Sequence, residues 1–322
     1  MSGAMVISPF METLTTNLQK ERNLAQTSTT QYLQTLFKLN GSKPFSNLAW
    51  TKKYDDVQAI IDTYAKSTQA SQYMVLTSVL SLYSEKPTYK KVYAYWREKM
   101  LEAKKERDAM PANEKTESQK ENWVDWTDVK KKAAQLKEDI SSFPLTKKLT
   151  MAQFDKLTDY LVLSLYTEIQ PRRNQDYLYM YVVKNLPAEE DTNRNYYVIN
   201  TNQFVFNKYK TAKLYNKQVI DVPHDLQEVL KLYLDHHPVG VPKSKKDNTP
   251  IKLLVKSDGQ DMTTVNAITR ILNRVFDKKV GSSMLRHSYL SSKYADTVKN
   301  QNADSVAMGH SVATASKDYV KF

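Results

Sequence analysis

Apolar residues recur at helical spacing through most of the chain. In the first half, this pattern predicts amphipathic helices at about 27–39, 53–64, 69–83, 92–100 and 129–140. In the second half, it predicts helices at about 151–169, 226–234 and 263–276, and one more that begins at Ser282 or Ser283. The sequence therefore predicts a mainly helical protein.

Short runs of β-branched and aromatic residues interrupt the helical pattern in the second half. They lie at 196–199, 204–209 and 217–222, and polar turns such as 200–202 separate them. Runs that follow one another so closely are typical of antiparallel strands joined by turns. The predicted fold class is α+β, mainly α with a small antiparallel β-sheet.

A Ser-Ser-Phe-Pro sequence ends the helical pattern of the first half. Such a break is typical of a linker, and we place the domain boundary between Phe143 and Pro144. The predicted organisation is a flexible arm at 1–12, a helical domain at 13–143 and a second domain at 144–322. Within the first domain, the highly charged segment 102–122 is predicted to be a solvated helix end or loop.

The charge balance changes the picture of what the protein binds. The chain has 322 residues, of which 47 are Lys or Arg and 35 are Asp or Glu, so its formal net charge is +12. An excess of this size favours a polyanionic partner, and nucleic acid is the first candidate. Hydrophobic residues make up 41% of the chain, which is enough to bury the cores of two domains.

Other features of the sequence exclude or disfavour several classes of function. The chain has no cysteine, which excludes thiol chemistry, disulfides and cysteine-based zinc sites. It contains neither of the glycine-rich motifs that cradle nucleotide phosphates. No apolar run approaches the ~20 residues that cross a bilayer, and a signal-peptide pattern is missing, so we expect a soluble, intracellular protein without a membrane partner. His224, His236 and His237 lack carboxylates at supporting spacing, and we expect no metal site there.

The candidate chemistry lies in the last forty residues. Arg286 and His287 belong to a predicted helix that either Ser282 or Ser283 could cap. Gly309 is predicted to end a helix just before His310. Tyr319 follows His310 by nine residues, in the next predicted helix. This order, an Arg-His pair, then Gly-His-Ser and then a tyrosine, resembles the catalytic box of the tyrosine recombinase (phage-type integrase) family.

The resemblance covers about residues 145–322 and extends to other motifs. In these enzymes an arginine follows a long apolar helix, with an acidic residue three positions later, and Arg173 and Asp176 fit better than Arg172 does. A lysine in a turn of the small sheet, followed by threonine, matches Lys210. The catalytic residues that the resemblance implies are Arg173, Lys210, Arg286, His310 and Tyr319. The helical first half resembles the core-binding (DNA-binding) domain of the family only in layout.

Ser283 departs from the family pattern, which has histidine or lysine three residues before the second arginine. A serine can contact a phosphate oxygen but cannot accept a proton as an imidazole does near neutral pH, and capping the helix is an equally good interpretation. We expect His287 to support local packing. The Pro-Arg-Arg-Asn-Gln-Asp-Tyr form of the first arginine motif is similar to recombinases of large DNA viruses and eukaryotic mobile elements.

The chemistry that the resemblance implies needs no metal, nucleotide or other cofactor. The tyrosine attacks a phosphodiester and forms a 3′-phosphotyrosine, the arginines bind the non-bridging oxygens, and the lysine protonates the leaving 5′-oxygen. The implied partner is double-stranded DNA, with a homo-tetramer on paired sites and a monomer or dimer in free solution. The implied location is at DNA, in a host nucleus or, for a viral protein, at the viral replication site.

Two alternatives to a site-specific recombinase or integrase stay open. A type IB topoisomerase would share the tyrosine and the arginines but act as a monomer on supercoiled DNA. A DNA-binding relative that has lost cleavage is the other alternative, and Ser283 is the residue that favours it.

The basic cluster at 243–246 could contact DNA, act as an import signal or lie in a solvated loop. Because only three residues follow Tyr319, we expect another segment, such as the N-terminal arm, to link protomers unless the chain continues further.

Overall fold

The computed structural model of the protein describes residues 7–109, 114–241 and 248–319. The chain forms two compact units, Met1–Glu114 and Lys115–Phe322. No helix among the described residues combines the length and the apolar character that crossing a membrane requires. The basic cluster at 243–246 lies outside the described residues.

Unit one is helical throughout its described residues. Its helices are α1 (Pro9–Arg22), α2 (Gln26–Leu39), α3 (Tyr54–Asp62), α4 (Lys66–Leu80) and α5 (Pro87–Asp108), with 3₁₀ turns at Ala49–Lys52 and Ser81–Tyr83. Trp96 on α5 is fully buried, and its indole Nε1 donates to the Thr51 carbonyl at 3.0 Å. The helical spacing of apolar residues predicted α2 to α5, because each of these helices buries one apolar face in the core of unit one.

The predicted flexible arm at 1–12 is wrong for residues 9–12, which form the start of α1. Ser8 caps this helix by accepting from the Met11 N–H at 3.3 Å, and its hydroxyl donates to the Phe45 carbonyl at 2.6 Å. Met11 is fully buried in the core of the unit, together with two leucines of the same face. A helix that buries such a face is held by the core, so this segment cannot be a loose arm. Residues 1–6 lie outside the described residues.

Unit two combines helices with a sheet. Its helices are α6 (Glu117–Asn122), α7 (Trp126–Ser141), α8 (Met151–Thr167), α9 (Asn174–Leu178), α10 (Ala212–Tyr215), α11 (His224–Asp235), α12 (Val265–Phe276), α13 (Ser282–Ala307) and α14 (Val312–Thr314), which continues into a π-helical turn at Ala315–Tyr319. Its strands are β1 (Met180–Val183), β2 (Asn195–Val198), β3 (Gln203–Phe206), β4 (Gln218–Asp221) and β5 (Ile251–Lys252). The protein is therefore mainly α with a small sheet, as predicted.

The sheet is mixed and not antiparallel throughout. The three predicted strands, β2, β3 and β4, pair antiparallel as expected, and the parallel pair involves β1, which the sequence did not predict. The strand order is β4-β3-β2-β1-β5, and β1 pairs with β2 in parallel while the other pairs are antiparallel. A tight turn cannot join parallel strands. Here the polar segment 184–194 leads the chain from the end of β1 back to the edge of the sheet where β1 begins, so that β2 runs in the same direction. The turn signals in the sequence identified β2, β3 and β4 but gave no sign of β1 or β5.

The boundary between the units lies before α7, whereas the sequence placed it after this helix. Trp126, Val129 and Leu136 of α7 are buried in the same core as α8, on the other side of the predicted boundary. The Ser-Ser-Phe-Pro break is therefore a turn between two packed helices. Its composition indicates where a helix ends, but it cannot indicate which helix the apolar face of α7 packs against.

Candidate active site

A group of arginines meets where α9 begins. Arg172 and Arg173 come directly after the buried Pro171, and Arg173 is the residue that precedes the first turn of α9. The Asp176 backbone N–H donates to the Arg173 carbonyl at 2.9 Å, which closes this turn. Because α8 ends a few residues earlier in the core of unit two, the two arginines are presented from a fixed base.

Arg172 is fully engaged by its surroundings. Its Nε donates to Asp176 Oδ2 at 2.9 Å, and its Nη1 donates to Gln218 Oε1 on β4 at 2.9 Å. The guanidinium lies over the Phe206 ring, 3.8 Å from the ring centroid, and 5.2 Å from that of Tyr209. Arg172 thus joins α9 to the sheet, and it is Arg172 that pairs with the predicted supporting residue Asp176.

Within this cluster, Arg173 and Arg286 have free donors. Both are half-buried, and neither guanidinium has a hydrogen-bond or ion-pair partner among the residues that the structure describes. Desolvation, together with the positive charge of Arg173, lowers the pKa of Arg286, while the carboxylate of Asp176 opposes this shift. The Asn174 N–H, next to Arg173, donates to Ser282 Oγ, one turn before Arg286, so the two arginines come from distant segments to one region. Two neighbouring guanidinium groups suit an anion with several oxygens.

Asp176 balances part of this positive charge. Burial raises the pKa of its carboxyl group, and the positive charges of Arg172 and Arg173 oppose the rise. One of its oxygens, Oδ1, is buried without a hydrogen-bond partner. A single carboxylate among three guanidinium groups leaves the cluster positive, so it favours an anionic ligand.

Asn174 holds the helices around the arginine cluster together, and sequence reasoning missed it. Its Oδ1 accepts from the Tyr166 hydroxyl of α8 at 2.5 Å, and its Nδ2 donates to Thr269 Oγ1 of α12 at 2.9 Å. Its backbone N–H donates to Ser282 Oγ, in the first turn of α13, at 3.4 Å. The side chain is buried. Its position directly after the arginine pair is the one sequence signal that could have singled it out.

The start of α13 differs from the prediction in two ways. Gly281 precedes the first turn and no side chain caps it, so the capping role of Ser282 or Ser283 is wrong. Ser283 is exposed, one turn before Arg286, and its contact with a phosphate stays a prediction. His287 is exposed as well and lines a cleft of about 330 Å³, so its predicted role in packing is wrong. Packing fails because Leu285 and Ser288, not His287, occupy the buried face of these turns.

Lys210 lies in a connection that contacts Arg172 through the neighbouring Tyr209. As predicted, this connection joins two neighbouring antiparallel strands, β3 and β4, and Lys210 is exposed in it. The Tyr209 hydroxyl donates to the Asn216 carbonyl at 2.5 Å and so holds the two ends of this connection together.

His310 and Tyr319 lie together at the other end of α13. This helix ends at Ala307 as predicted, and Gly309 has a φ of +77°. The His310 N–H donates to the Ser305 carbonyl at 3.0 Å, a bond typical of a glycine-terminated helix. The Tyr319 ring stacks on the His310 ring, with centroids 5.1 Å apart and planes 15° apart, and is 68% exposed.

The segment that carries Tyr319 turns back onto α13. Ser311 accepts from the Thr314 N–H at 3.1 Å and begins α14, and Gln301 Nε2 donates to Ser316 Oγ at 2.8 Å. We call residues 310–319 the tyrosine segment.

The length of α13 separates the two groups of candidate residues. From Arg286 to Ala307 the helix rises about 32 Å, at 1.5 Å per residue. The structure therefore groups Arg173 and Arg286 with the β3–β4 connection that contains Lys210. It groups His310 with Tyr319 at the far end of α13. It does not bring the two groups to one place within a single chain.

One possible metal site lies apart from these residues. Ligand atoms of His224, Asp225 and Glu228, at the start of α11, come within 4.8 Å of one another. The expectation that His224 lacks supporting carboxylates is therefore wrong, because a helix brings residues four apart to the same face. All three side chains are exposed, and exposed acidic groups of this kind are common without an ion.

Comparisons with protein families, with curated proteins and with solved structures found no match to this chain. What the site can do therefore has to be argued from its residues. The arginine cluster can bind an oxyanion through two free guanidinium groups, and the tyrosine segment presents an exposed phenol with a histidine stacked on it.

Proposed function

We propose that this protein breaks and rejoins DNA strands by tyrosine-recombinase chemistry, as a site-specific recombinase or integrase. The observation that carries the proposal is the pair of half-buried, unpartnered guanidinium groups of Arg173 and Arg286, which distant segments bring to one positive cluster. Two guanidinium groups, each donating a pair of hydrogen bonds to the same phosphodiester, stabilise the charge that develops on its oxygens when the phosphorus is attacked.

In the proposed reaction, the phenolic oxygen of Tyr319 forms a bond to phosphorus while the bond from phosphorus to the 5′-oxygen breaks. The exposed phenol gives its proton to solvent, and Lys210 donates a proton to the leaving 5′-oxygen. The product is a 3′-phosphotyrosine, which stores the energy of the phosphodiester, and attack by a 5′-hydroxyl reverses the reaction. His310, whose ring stacks on that of Tyr319, donates a hydrogen bond to the phosphate.

Arg172, Asp176 and Asn174 have positioning roles in this proposal. Arg172 uses its donors on Asp176 and Gln218, so it fixes the loop that presents Arg173. Asn174 fastens that loop to α8, α12 and α13, which carries Arg286. The net charge of +12 supports DNA as the partner, because a duplex presents a line of phosphates to a basic surface.

A nicked DNA substrate tests the proposal. A duplex library with a randomised centre and nearby nicks lets the short cleaved fragment diffuse away, which traps the covalent intermediate. We expect the native protein to form an adduct that survives denaturation, Tyr319→Phe to bind DNA but form none, and Tyr215→Phe, another exposed tyrosine, to behave as the native protein does. An adduct with the Tyr319→Phe variant would contradict the proposal.

A DNA-binding protein without cleavage is the second candidate. The separation between Tyr319 and the arginine cluster within one chain favours it, and so does the exposed Ser283 at the position of a histidine or lysine in the family. It predicts salt-sensitive DNA binding, with log K falling by about 0.9 per phosphate neutralised, and no covalent adduct from the native protein. The trapping experiment therefore separates the two candidates.

A further inference from the structure

The connection between β3 and β4 is basic along its whole length. Residues 207–217 contain four lysines and neither aspartate nor glutamate. Two of these lysines, Lys208 and Lys217, are engaged by an aromatic ring and a carboxylate where the connection leaves the sheet. Lys210 and Lys213 are exposed, and neither has a charged or aromatic partner among the described residues. The outer part of the connection is therefore positive, which favours a polyanionic partner.

Two apolar side chains lie side by side at the tip of this connection. Leu214 is 69% exposed and Tyr215 is 60% exposed, and Lys213 directly precedes them. Large apolar residues that lie together in water, with polar residues around them, mark an interaction site. Lysines next to an exposed aromatic ring are typical of surfaces that bind nucleic acid, because lysines bind phosphates and rings stack on bases.

The tip has a fixed conformation. It forms the helical turn α10, in which the N–H groups of Leu214 and Tyr215 both donate to the Thr211 carbonyl, at 3.0 and 3.1 Å. Asn216, which ends the turn, has a φ of +57° and a ψ of −164°, a combination that is essentially confined to glycine. The bond from the Tyr209 hydroxyl to the Asn216 carbonyl supports this strained backbone. Strain of this kind is concentrated at sites that clamp ligands.

The connection is attached to the arginine cluster at both of its ends. The guanidinium of Arg172 lies near the Tyr209 ring and donates to Gln218, directly after the connection. Tyr215 comes three positions before Gln218, so their Cα atoms are at most about 11 Å apart. A base pair occupies about 3.4 Å along a duplex. The tip therefore lies within a few base pairs of a phosphate that the cluster binds.

We propose that Leu214 and Tyr215 form a wedge that enters duplex DNA at one base step and unstacks it, beside the phosphate that the arginine cluster binds. Leu214 fills the space between the two base pairs, as aliphatic side chains do in proteins that kink DNA. The Tyr215 ring stacks on the base that has lost its neighbour, and Lys213 binds a flanking phosphate. This inference rests on the proposed function, because it takes DNA as the partner.

The wedge makes the protein select DNA by how easily it deforms. Pyrimidine–purine steps such as TA and CA unstack most readily, so DNA with such a step at the wedge costs the least energy to bind. We expect the native protein to enrich duplexes with a pyrimidine–purine step, at a fixed distance from the cleavage point, from a library with a randomised centre. Enriched sequences without such a step would overturn the wedge.

The fluorescence of 2-aminopurine tests the wedge directly. This adenine analogue becomes brighter when it is unstacked, and it replaces each purine in turn in an intact duplex of the enriched sequence. With saturating native protein, we expect the fluorescence to rise severalfold at one step. We expect the double variant Leu214→Ser, Tyr215→Ser to bind roughly tenfold more weakly and to give no such rise at saturation.

Two further variants serve as controls for the same measurement. Tyr215→Phe keeps the ring and should unstack the DNA as the native protein does. Leu290→Ser makes the same exchange at a leucine of α13 that is 49% exposed, and it should also leave the rise unchanged. Because all of these side chains are exposed, we expect each variant to keep the circular dichroism spectrum and the unfolding midpoint of the native protein.

The outcomes separate the wedge from the proposed function. An undiminished rise with the double variant, or no rise at any position with saturating native protein, would overturn the wedge, even where the native protein forms the covalent adduct. A native protein that fails to bind DNA would contradict the proposed function and the wedge with it. Self-association that the native protein shows and the double variant loses would mean that the tip contacts another copy of the chain, which would also overturn the wedge.

Discussion

The two ends of α13 are held in different ways, and each end carries one group of candidate residues. At its start, Ser282 is bonded to Asn174, Ser288 to the Val124 carbonyl, and Leu285 is buried in the core of unit two. At its far end, the hydrogen bonds described for the tyrosine segment join it to α13 or stay within the segment. The arginine cluster is thus fixed by the core, while Tyr319 is carried on an extension of it.

This difference assigns different tasks to the two ends. An arginine cluster stabilises a transition state only if its donors are already in place when charge develops, so rigid support is an advantage there. Tyr319, by contrast, is exposed on the tyrosine segment, outside the core of unit two. The predictions below test this division, from the largest expected effect to the smallest.

Removing an arginine of the cluster should have the largest effect. For Arg286→Ala we expect the rate of covalent DNA cleavage to fall by about 10²–10³, because a preorganised donor to the developing charge is lost. DNA affinity should change little, since one phosphate contact among many is removed. Arg270→Ala, an exposed arginine of α12, is the control and should cleave normally. Equal losses of affinity and rate would mean that Arg286 only contacts the DNA backbone.

Removing the residue that fastens the cluster should affect the stability of unit two. For Asn174→Ala we expect the free energy of unfolding to fall by about 1–3 kcal/mol, because the buried Tyr166 of α8 and the half-buried Thr269 of α12 lose their hydrogen bonds. Urea unfolding followed by circular dichroism measures this change. Asn300→Ala, an exposed residue of α13, should leave the stability unaltered. A fully stable Asn174→Ala protein would show that the cluster does not depend on this side chain.

Straining the end of α13 should have a local effect. Gly309 has a φ of +77°, which alanine adopts at a cost of about 1 kcal/mol, so for Gly309→Ala we expect the tyrosine segment to open roughly fivefold more often. Limited proteolysis near the C-terminus should accelerate accordingly, while the unfolding midpoint of the whole chain stays the same. Gly240→Ala, which meets a similar strain at a φ of +76°, should not alter this cleavage. A lower global midpoint for Gly309→Ala alone would show that the segment is part of the core.

The pH dependence of stability should show the smallest effect. Burial raises the pKa of Asp176, so its carboxyl binds a proton more readily in the folded than in the unfolded protein. Its contribution to stability is therefore present at low pH and is lost as the pH rises through the raised pKa. Between about pH 7 and about pH 4.5, we expect the native protein to gain stability relative to Asp176→Asn, as measured by urea unfolding of both proteins. A difference independent of pH would mean that burial does not perturb this carboxyl.

Much of the fold follows from periodicity, but the partners of each helix do not. Spacing predicted α2 to α5, α8, α11 and α12, because each has an apolar face at intervals of three and four residues. It did not predict α1, whose first four residues lie within the predicted arm, and it placed α7 in the wrong unit. It also missed the parallel pairing of β1 with β2, which depends on the path of the loop between them and not on local turn chemistry.

The candidate site shows the same limit. Local signals predicted the glycine end of α13 and the position of Lys210 between two strands. They did not predict that the polar residues between Tyr294 and Ala307 continue one helix, and this continuity is what carries Tyr319 away from Arg286. Whether a polar stretch extends a helix or breaks it depends on tertiary contacts, since intrinsic helix propensities differ by well under about 1 kcal/mol per residue.

Mapping of the DNA-linked residue tests the central claim most directly. The native protein is incubated with the nicked duplex library, denatured and digested with trypsin, and the peptide that stays attached to DNA is sequenced by mass spectrometry. We predict that DNA is attached at Tyr319, in the peptide 318–321 that cleavage after Lys317 and Lys321 releases. Attachment at another residue, or no DNA-linked peptide from a protein that binds the library, would contradict the account.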